Sequence, residues 1–310
     1  MIVFGPVPSR RLGRSLGINN IPPKNCSFNC IYCQAGKTKN LSVTRQEYYS
    51  PADIFREVIL KIRQTREQKE RIDYISFVPD GEPTLDINLG KTIELLKLLG
   101  LPIAVFTNSS LIYHDDVVYD LIKADLVSVK VDTNDINIWN QINRSHKTVD
   151  WKKMMDGIIT FRQWFRGSLI TETMLVGGIN DSPQQIESLA QFISGVQPDM
   201  AYLSIPTRPP AENGVTQPSE EVIQYAYQAF RENIDHVKCL TEQESDKFTY
   251  SGDIENDILS ITSVHPMRKQ AVIELLNKAH EGWDIIDQLI ARKKLVETTY
   301  RKEKYYQRKF

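Results

Sequence analysis

Three cysteines fall within eight residues, Cys26, Cys30 and Cys33 of CSFNCIYC. Thiolates at CxxxCxxC spacing suit an iron-sulfur cluster, and three of them are one short of the four that a 4Fe-4S cubane normally takes from protein. One iron then keeps an open position, as catalytic metal centres do and structural ones do not. A zinc site would ask for a fourth Cys or His nearby, and residues 27–43 hold none beyond Cys30 and Cys33 themselves. A disulfide framework is excluded too, because the 310 residues contain 4 cysteines, three of them in one loop. Cys239 alone remains, either as a small buried hydrophobe or as a hydrogen-atom donor.

With Tyr32 directly before the third cysteine, this motif resembles the signature of the radical S-adenosylmethionine (radical SAM) enzymes. The resemblance implies a 4Fe-4S cluster on Cys26, Cys30 and Cys33, with S-adenosylmethionine chelating the fourth iron through its amino and carboxylate groups. It also implies a low-potential electron donor of flavodoxin or ferredoxin type, whose electron cleaves the cofactor to methionine and a 5'-deoxyadenosyl radical. In such enzymes the cofactor supplies the difficult chemistry and the protein supplies orientation and shielding. Asp80-Gly81-Glu82-Pro83 resembles the family's glycine-glutamate-proline element that holds the methionyl amino group, since carbonyls and a carboxylate are what an ammonium needs. Asp80 departs from the glycine of many relatives, and a plain β-turn also explains the run. By the same resemblance Tyr32, Gly81, Glu82, Pro83, Asn108, Lys130 and Asp132 are expected to contact the cofactor, and MLVGGIND (174–181) is similar to the glycine-bearing turn beside adenine. The opening GPVPSRRLGRSLGI resembles a branch related to the tRNA wyosine-base synthases. Those use a second cluster, for which this chain has too few thiols.

The elements that position these residues alternate β-rich runs with helical periodicity from residue 16 to about 234, the pattern of parallel strands joined by crossover helices. Strands are predicted at 16–20, 73–78, 103–107, 126–131, 169–176 and 200–205, each followed by a helix. The first helix starts with Ser50 as N-cap and Pro51 at its first position, and Gly100 ends the second. Six βα units are too few for an eight-fold barrel. They suit an α/β, partial TIM-like barrel with its site at the C-terminal ends of the strands, which matches the usual radical SAM fold. Past residue 245 three helices (254–262, 266–279 with Pro266 at its first position, and 283–291) and a terminal hairpin resemble a winged helix. The division is therefore 1–244 for the barrel and 245–310 for a small winged-helix-like domain.

Ser128, Lys130 and Asp132 alternate on one strand and Thr171 and Thr173 on the next, so these groups are expected to point one way, toward the cofactor. A buried Lys130–Asp132 ion pair is the alternative. Arg10, Arg11 and Arg14 precede the first predicted strand, and guanidiniums suit carboxylates and phosphates. They either hold the cofactor's carboxylate or an anionic substrate, or are solvated arginines of a terminal arm.

A net charge of −1 gives no global attraction to nucleic acid. Residues 289–310, however, hold eight Lys or Arg against two Glu, a net +6. With Tyr300, Tyr305 and Tyr306 beside them they offer phosphate contacts and stacking partners, an RNA-like surface, or a solvated tail with aromatic packing. No stretch approaches a membrane span, which makes a cytoplasmic protein with reduced thiols the expectation. The five histidines have no metal-ligand spacing, and no P-loop or nucleophile elbow occurs. The sequence thus points to hydrogen abstraction from a substrate, preferably an RNA or tRNA nucleobase. The alternatives are a peptide or protein, including glycyl-radical activation, and a non-catalytic cluster used as a redox switch by a DNA-binding regulator.

Overall fold

The computed structural model describes residues 2–241 and 247–310. The expected boundary between residues 244 and 245 lies outside the described residues. The chain opens with a hairpin of β1 (Val3–Ser9) and β2 (Gly13–Ile18), and two-residue strands β3 (Asn25–Cys26) and β4 (Asn40–Leu41) bracket the cysteine loop. Then follow α1 (Pro51–Glu67), β5 (Tyr74–Phe77), α2 (Leu89–Lys97), β6 (Ile103–Thr107), α3 (Asp115–Leu121), β7 (Leu126–Lys130), α4 (Ile136–Asn143) and α5 (Trp151–Trp164). The alternation continues through β8 (Ser168–Met174), α6 (Pro183–Val196), β9 (Met200–Ser204), α7 (Glu220–Arg231) and β10 (Val237–Leu240). The C-terminal part contains α8 (Ile254–Val264), β11 (Met267–Arg268), α9 (Lys269–Ala279), α10 (Asp284–Ala291), β12 (Leu295–Tyr300) and β13 (Glu303–Arg308).

One sheet of order β1-β2-β5-β6-β7-β8-β9-β10 curls into the expected partial barrel, parallel from β2 to β10 with β1 antiparallel at its edge. All six predicted strands are present, and the structure adds the edges β1 and β10. Arg10 ties those edges together, its guanidinium donating to the Leu240 carbonyl at 2.7 Å. The first helix begins where the sequence says it should: Ser50 Oγ accepts from Asp53 N, Pro51 opens α1, and Ile54, Val58 and Ile62 give it a buried face. Gly100 adopts φ +70 just past α2 and closes it on the Lys97 carbonyl.

The main core lies between the sheet and its helices, whereas Leu12, Ala104, Leu126, Ile170, Tyr202 and Leu240 fill the inside of the barrel. A second core, including Phe248, Ile258, Val272, Leu276, Ile286, Leu295 and Tyr306, holds the C-terminal elements together. There Pro266 does not start a helix. Met267 and Arg268 pair with Tyr306 and Tyr305 as strand β11, and α9 begins only after Arg268. The strands β12 and β13 turn on Arg301 and Lys302, both in the left-handed region, as a two-residue hairpin requires.

Candidate active site at the cysteine loop

Hydrophobic side chains between the cysteines anchor their loop. Phe28 is buried edge-on against Trp139, and Ile31 packs among Ile138, Ile142 and Val176. The backbone is pinned on both sides, with Asn29 N and Ile31 N donating to the Asn143 and Ile142 carbonyls at 2.9 Å, and Thr38 Oγ1 donating to the Phe28 carbonyl at 2.6 Å. Gly81 then brings the Asp80–Pro83 turn against this loop. It sits at φ +154, and a Cβ there would lie 1.8 Å from the Asn25 carbonyl oxygen, so glycine is needed at this crossing.

Amide donors surround the sulfurs, with the Tyr32 hydroxyl also beside Cys30. Asn108 Nδ2 and Phe28 N reach Cys26 Sγ, and Asn143 Nδ2 reaches Cys30 Sγ, each at 3.5 Å. Burial, aided by the charge of Asp132, pushes the Cys30 thiol up to about 12, and burial likewise raises Cys26 and Cys33. Thiolates in such a place call for a cationic partner, and an iron cluster is one that deprotonates its cysteines outright. Among the described residues no three His, Cys, Asp or Glu side chains converge on a single ion. A cubane does not ask for that, because each thiolate ligates its own iron. The donor set therefore fits a cluster better than a mononuclear metal.

Beside the loop lie two contiguous cavities of about 340 and 220 Å³, both lined by Arg11, Tyr32, Cys33, Gln34, Lys130 and Glu172. The larger also touches Gly81, Asn108, Ser128, Phe106 and His265, and the smaller touches Arg10, Met174, Ser204, Pro206 and Arg208. Of the expected cofactor contacts, Tyr32, Gly81, Asn108 and Lys130 therefore face a cavity. Glu82, Pro83 and Asp132 stand behind the wall. Glu82 accepts from Thr84 N at 3.1 Å, Thr84 Oγ1 and Thr107 Oγ1 at 2.7 Å, and Asn108 N at 2.7 Å, which locks the end of β6 to the turn. Asp132 accepts from Tyr32 Oη, Asn143 Nδ2 and Met174 N, and so orients the tyrosine. Burial raises Asp80 to about 6 against the pull of Lys24, whose ammonium is 2.9 Å away.

The expected face of β8 is wrong by one residue. Lys130 registers with Glu172 and Val129 with Thr171, so Glu172 points into the barrel while Thr171 and Thr173 turn to the helix side. Sequence reasoning missed Glu172, yet the alternation that places Lys130 inward would have found it once the register was known. The Glu172 carboxylate lies 2.7 Å from Arg11 and 3.4 Å from Lys130. Burial alone would raise it, but these two cations overcome that and bring it down to about 2.

The other arginines are placed differently. Arg10 borders the smaller cavity, whereas Arg14 lines neither and instead bonds Glu70, Thr249 Oγ1 and the Lys247 carbonyl. The 174–181 turn is held by Asn180, which accepts from Val176 N and donates to the Asp132 and Met174 carbonyls, and its glycines line neither cavity. Cys239 is half-buried on a separate cleft with Tyr227 and Arg301, outside both cavities. The expected stacking tyrosines are committed elsewhere. Tyr305 and Tyr306 are buried, and Tyr300 Oη and Tyr305 Oη donate to the Pro206 and Thr207 carbonyls. Gln34, next to Cys33, donates to the Val264 carbonyl and accepts at its own carbonyl from Gln307, so the C-terminal part is bolted beside the cavities. No sequence spacing announced Gln34, Arg208 or His265, the last two 2.8 Å apart.

Comparison with known proteins agrees with this geometry. The radical SAM superfamily pattern matches residues 20–193. A UPF0026 protein of Methanocaldococcus jannaschii is 47% identical over 307 residues, 98% of this chain and 95% of its own length. A probable dual-specificity RNA methyltransferase RlmN of Spiroplasma citri is 24% identical over 201 residues, 61% of this chain and 54% of its own. Among solved structures, TYW1 with a lysine-pyruvate adduct bound superposes with a TM-score of 0.58 at 16% identity, covering 72% of this chain and 76% of that one. Streptococcus suis SuiB bound to precursor peptide SuiA gives 0.54 at 16% identity, covering 72% and 48%. At these identities the two structures speak for the fold alone. The half-barrel, its cysteine loop and the matched pattern together make this chain an enzyme of the radical SAM superfamily, to which it belongs.

Proposed function

We propose that Cys26, Cys30 and Cys33 ligate the 4Fe-4S cluster, that S-adenosylmethionine lies against Tyr32, Gly81, Asn108 and Lys130, and that the hydrogen abstracted belongs to an RNA nucleobase. When bound, cluster and cofactor supply a 5'-deoxyadenosyl radical on receipt of one electron from a flavodoxin- or ferredoxin-type donor. The chain's own residues position and shield. Asp132 holds Tyr32, Glu82 holds the backbone of Asn108, and Lys130 sits 5.1 Å above the Tyr32 ring. Phe4, Val7 and Phe106 form apolar walls that keep water from the reacting atoms. On this reading 1–244 is the catalytic barrel and 245–310 a winged-helix-like module, in a cytoplasmic protein; no helix among the described residues is long and apolar enough to cross a membrane.

The observation that carries the RNA reading is where the module sits. Its inward tyrosines bolt it next to the smaller cavity, while Lys293, Lys302, Lys304 and Lys309 remain exposed on it and Arg301 reaches back to Gln217 of the barrel. Cations there can track phosphates while a base enters. Two experiments test the proposal. Anaerobically reconstituted protein should hold about four irons per chain and, with dithionite, release 5'-deoxyadenosine; a C26S, C30S, C33S variant that keeps its iron would overturn the ligand set. Single-stranded RNA should bind with a log–log salt slope of about −2.8 if four phosphates are contacted, and K302E/K309E should flatten it by about 1.4. A salt-independent response, or turnover of peptide without RNA, would replace RNA by a peptide substrate.

A further inference from the structure

Two asparagines flank the cysteine loop from opposite sides, Asn108 at the end of β6 and Asn143 as the last residue of α4. We infer that these two amides set the reduction potential of the cluster, each by donating a side-chain N–H to a ligand sulfur. The inference rests on the ligand assignment proposed above.

The direction of each amide follows from its other partners. Asn108 Oδ1 accepts from Ser110 N at 2.9 Å, so the NH2 end is the one that faces Cys26 Sγ at 3.5 Å and Ser27 Oγ at 2.9 Å. Asn143 Nδ2 lies 2.8 Å from an Asp132 carboxylate oxygen, and an ionised carboxylate only accepts. Its NH2 group therefore also faces Cys30 Sγ at 3.5 Å. Neither side chain is loose. The Asn143 carbonyl takes Asn29 N, the Asn108 amide N–H is held by Glu82, and Asn143 is only 2% exposed.

Reduction adds one electron, delivered by the low-potential donor, to the cluster and its sulfurs; no bond forms or breaks and no proton moves at the thiolates. Donors aimed at those sulfurs favour the more negative state, and hydrogen bonds to sulfur are among the groups that set cluster potentials. Inside the protein they act across a low dielectric, which strengthens them. Removing either should make the cluster harder to reduce. Cys33 differs in that no side-chain amide reaches its sulfur among the described residues, and Gly36 N donates to its carbonyl at 3.0 Å.

The test is an EPR-monitored potentiometric titration of the reconstituted full chain without S-adenosylmethionine, so that cofactor contacts play no part. N108A and N143A should each lower the reduced-to-oxidised ratio at fixed poise about tenfold, a midpoint about 59 mV more negative for one electron. N108S and N143S, too short to reach sulfur, should do the same. N180A removes a buried amide that serves carbonyls instead, and should leave the midpoint in place. Wild-type protein labelled with side-chain ¹⁵N-asparagine should show hyperfine coupling to the reduced cluster, which checks the contacts themselves even where a variant loses iron. Fully loaded variants with the wild-type midpoint, or an absent coupling, would overturn the inference alone. A wild-type chain with no cluster would overturn the ligand assignment and this inference with it. A merely structural asparagine would lower iron content without moving the potential of the clusters that form.

Discussion

Glu172→Gln removes the anion that two buried cations share. The side chains of Glu172, Arg11 and Lys130 are 12%, 15% and 17% exposed, so water screens them weakly. Burial opposes the charge on Glu172, and Arg11 and Lys130 more than offset it, carrying the carboxyl from 4.5 to about 2. That displacement corresponds to about 3 kcal/mol in favour of the folded, ionised state. The sign follows from the folded value lying below the unfolded one: the contribution is complete above about pH 5, falls to about 1 kcal/mol near pH 3 and is gone below pH 2. The substitution leaves Asp132, 3.8 Å from Lys130, as the remaining nearby anion. Breaking a buried pair from one side costs about 3–5 kcal/mol, so E172Q should be about 3 kcal/mol less stable at pH 7. Urea denaturation of both proteins from pH 7 to pH 3 reads the difference directly. A gap below about 0.5 kcal/mol at pH 7, or one that does not narrow toward pH 3, would refute the reasoning.

Three further outcomes follow from single residues. Thr171 Oγ1 is buried without a hydrogen-bond partner among the described residues. T171V should be neutral or up to about 1 kcal/mol stabilising and leave S-adenosylmethionine affinity unchanged; weakened binding would put Thr171 on the inner face. Because a Cβ at Gly81 would lie 1.8 Å from a carbonyl oxygen, G81A should cost about 3 kcal/mol or more and deplete iron, and a fully loaded, equally stable G81A would contradict the crossing described. S50A loses the cap of α1 and should cost about 1 kcal/mol, which a calorimetric scan resolves.

The cysteine loop was legible because its information is local: three thiols, a preceding tyrosine and two buried spacers within eight residues. Strands of β-branched runs were legible for the same reason, as was the cap at Ser50. The inner face of β8 was not, because SLITETM is polar on both faces and only its register with β7 decides between Thr171 and Glu172. β1 escaped notice since Gly5, Pro6 and Pro8 break its pattern, and β10 since four residues make a weak signal. Tyr305 and Tyr306 looked like stacking partners, yet neighbours in a strand face opposite ways. Both are buried because β13 is covered twice, by the barrel's Thr207 carbonyl on one side and by Trp283 on the other. Tertiary context of that kind leaves no trace in composition.

The placement of charge also changes what the arginines near the N-terminus can do. Arg11 and Lys130 meet Glu172 at the chamber wall, and Asp132 lies behind it 3.8 Å from Lys130, two cations against two anions. Arg10 joins the two edges of the sheet, and Arg14 joins the first hairpin to Glu70 and to the segment that leads into the C-terminal part. None of the three is left as a dedicated phosphate holder. Exposed positive charge lies instead on the C-terminal hairpin, at Lys302 and Lys309. On the RNA reading this divides the substrate: phosphates meet the rim, and an uncharged base is what the larger cavity, with its paired Arg11, Lys130 and Glu172, admits. Salt should then weaken binding while leaving the rate of the bound complex unchanged, since screening acts at the exposed rim and much less on the buried quartet.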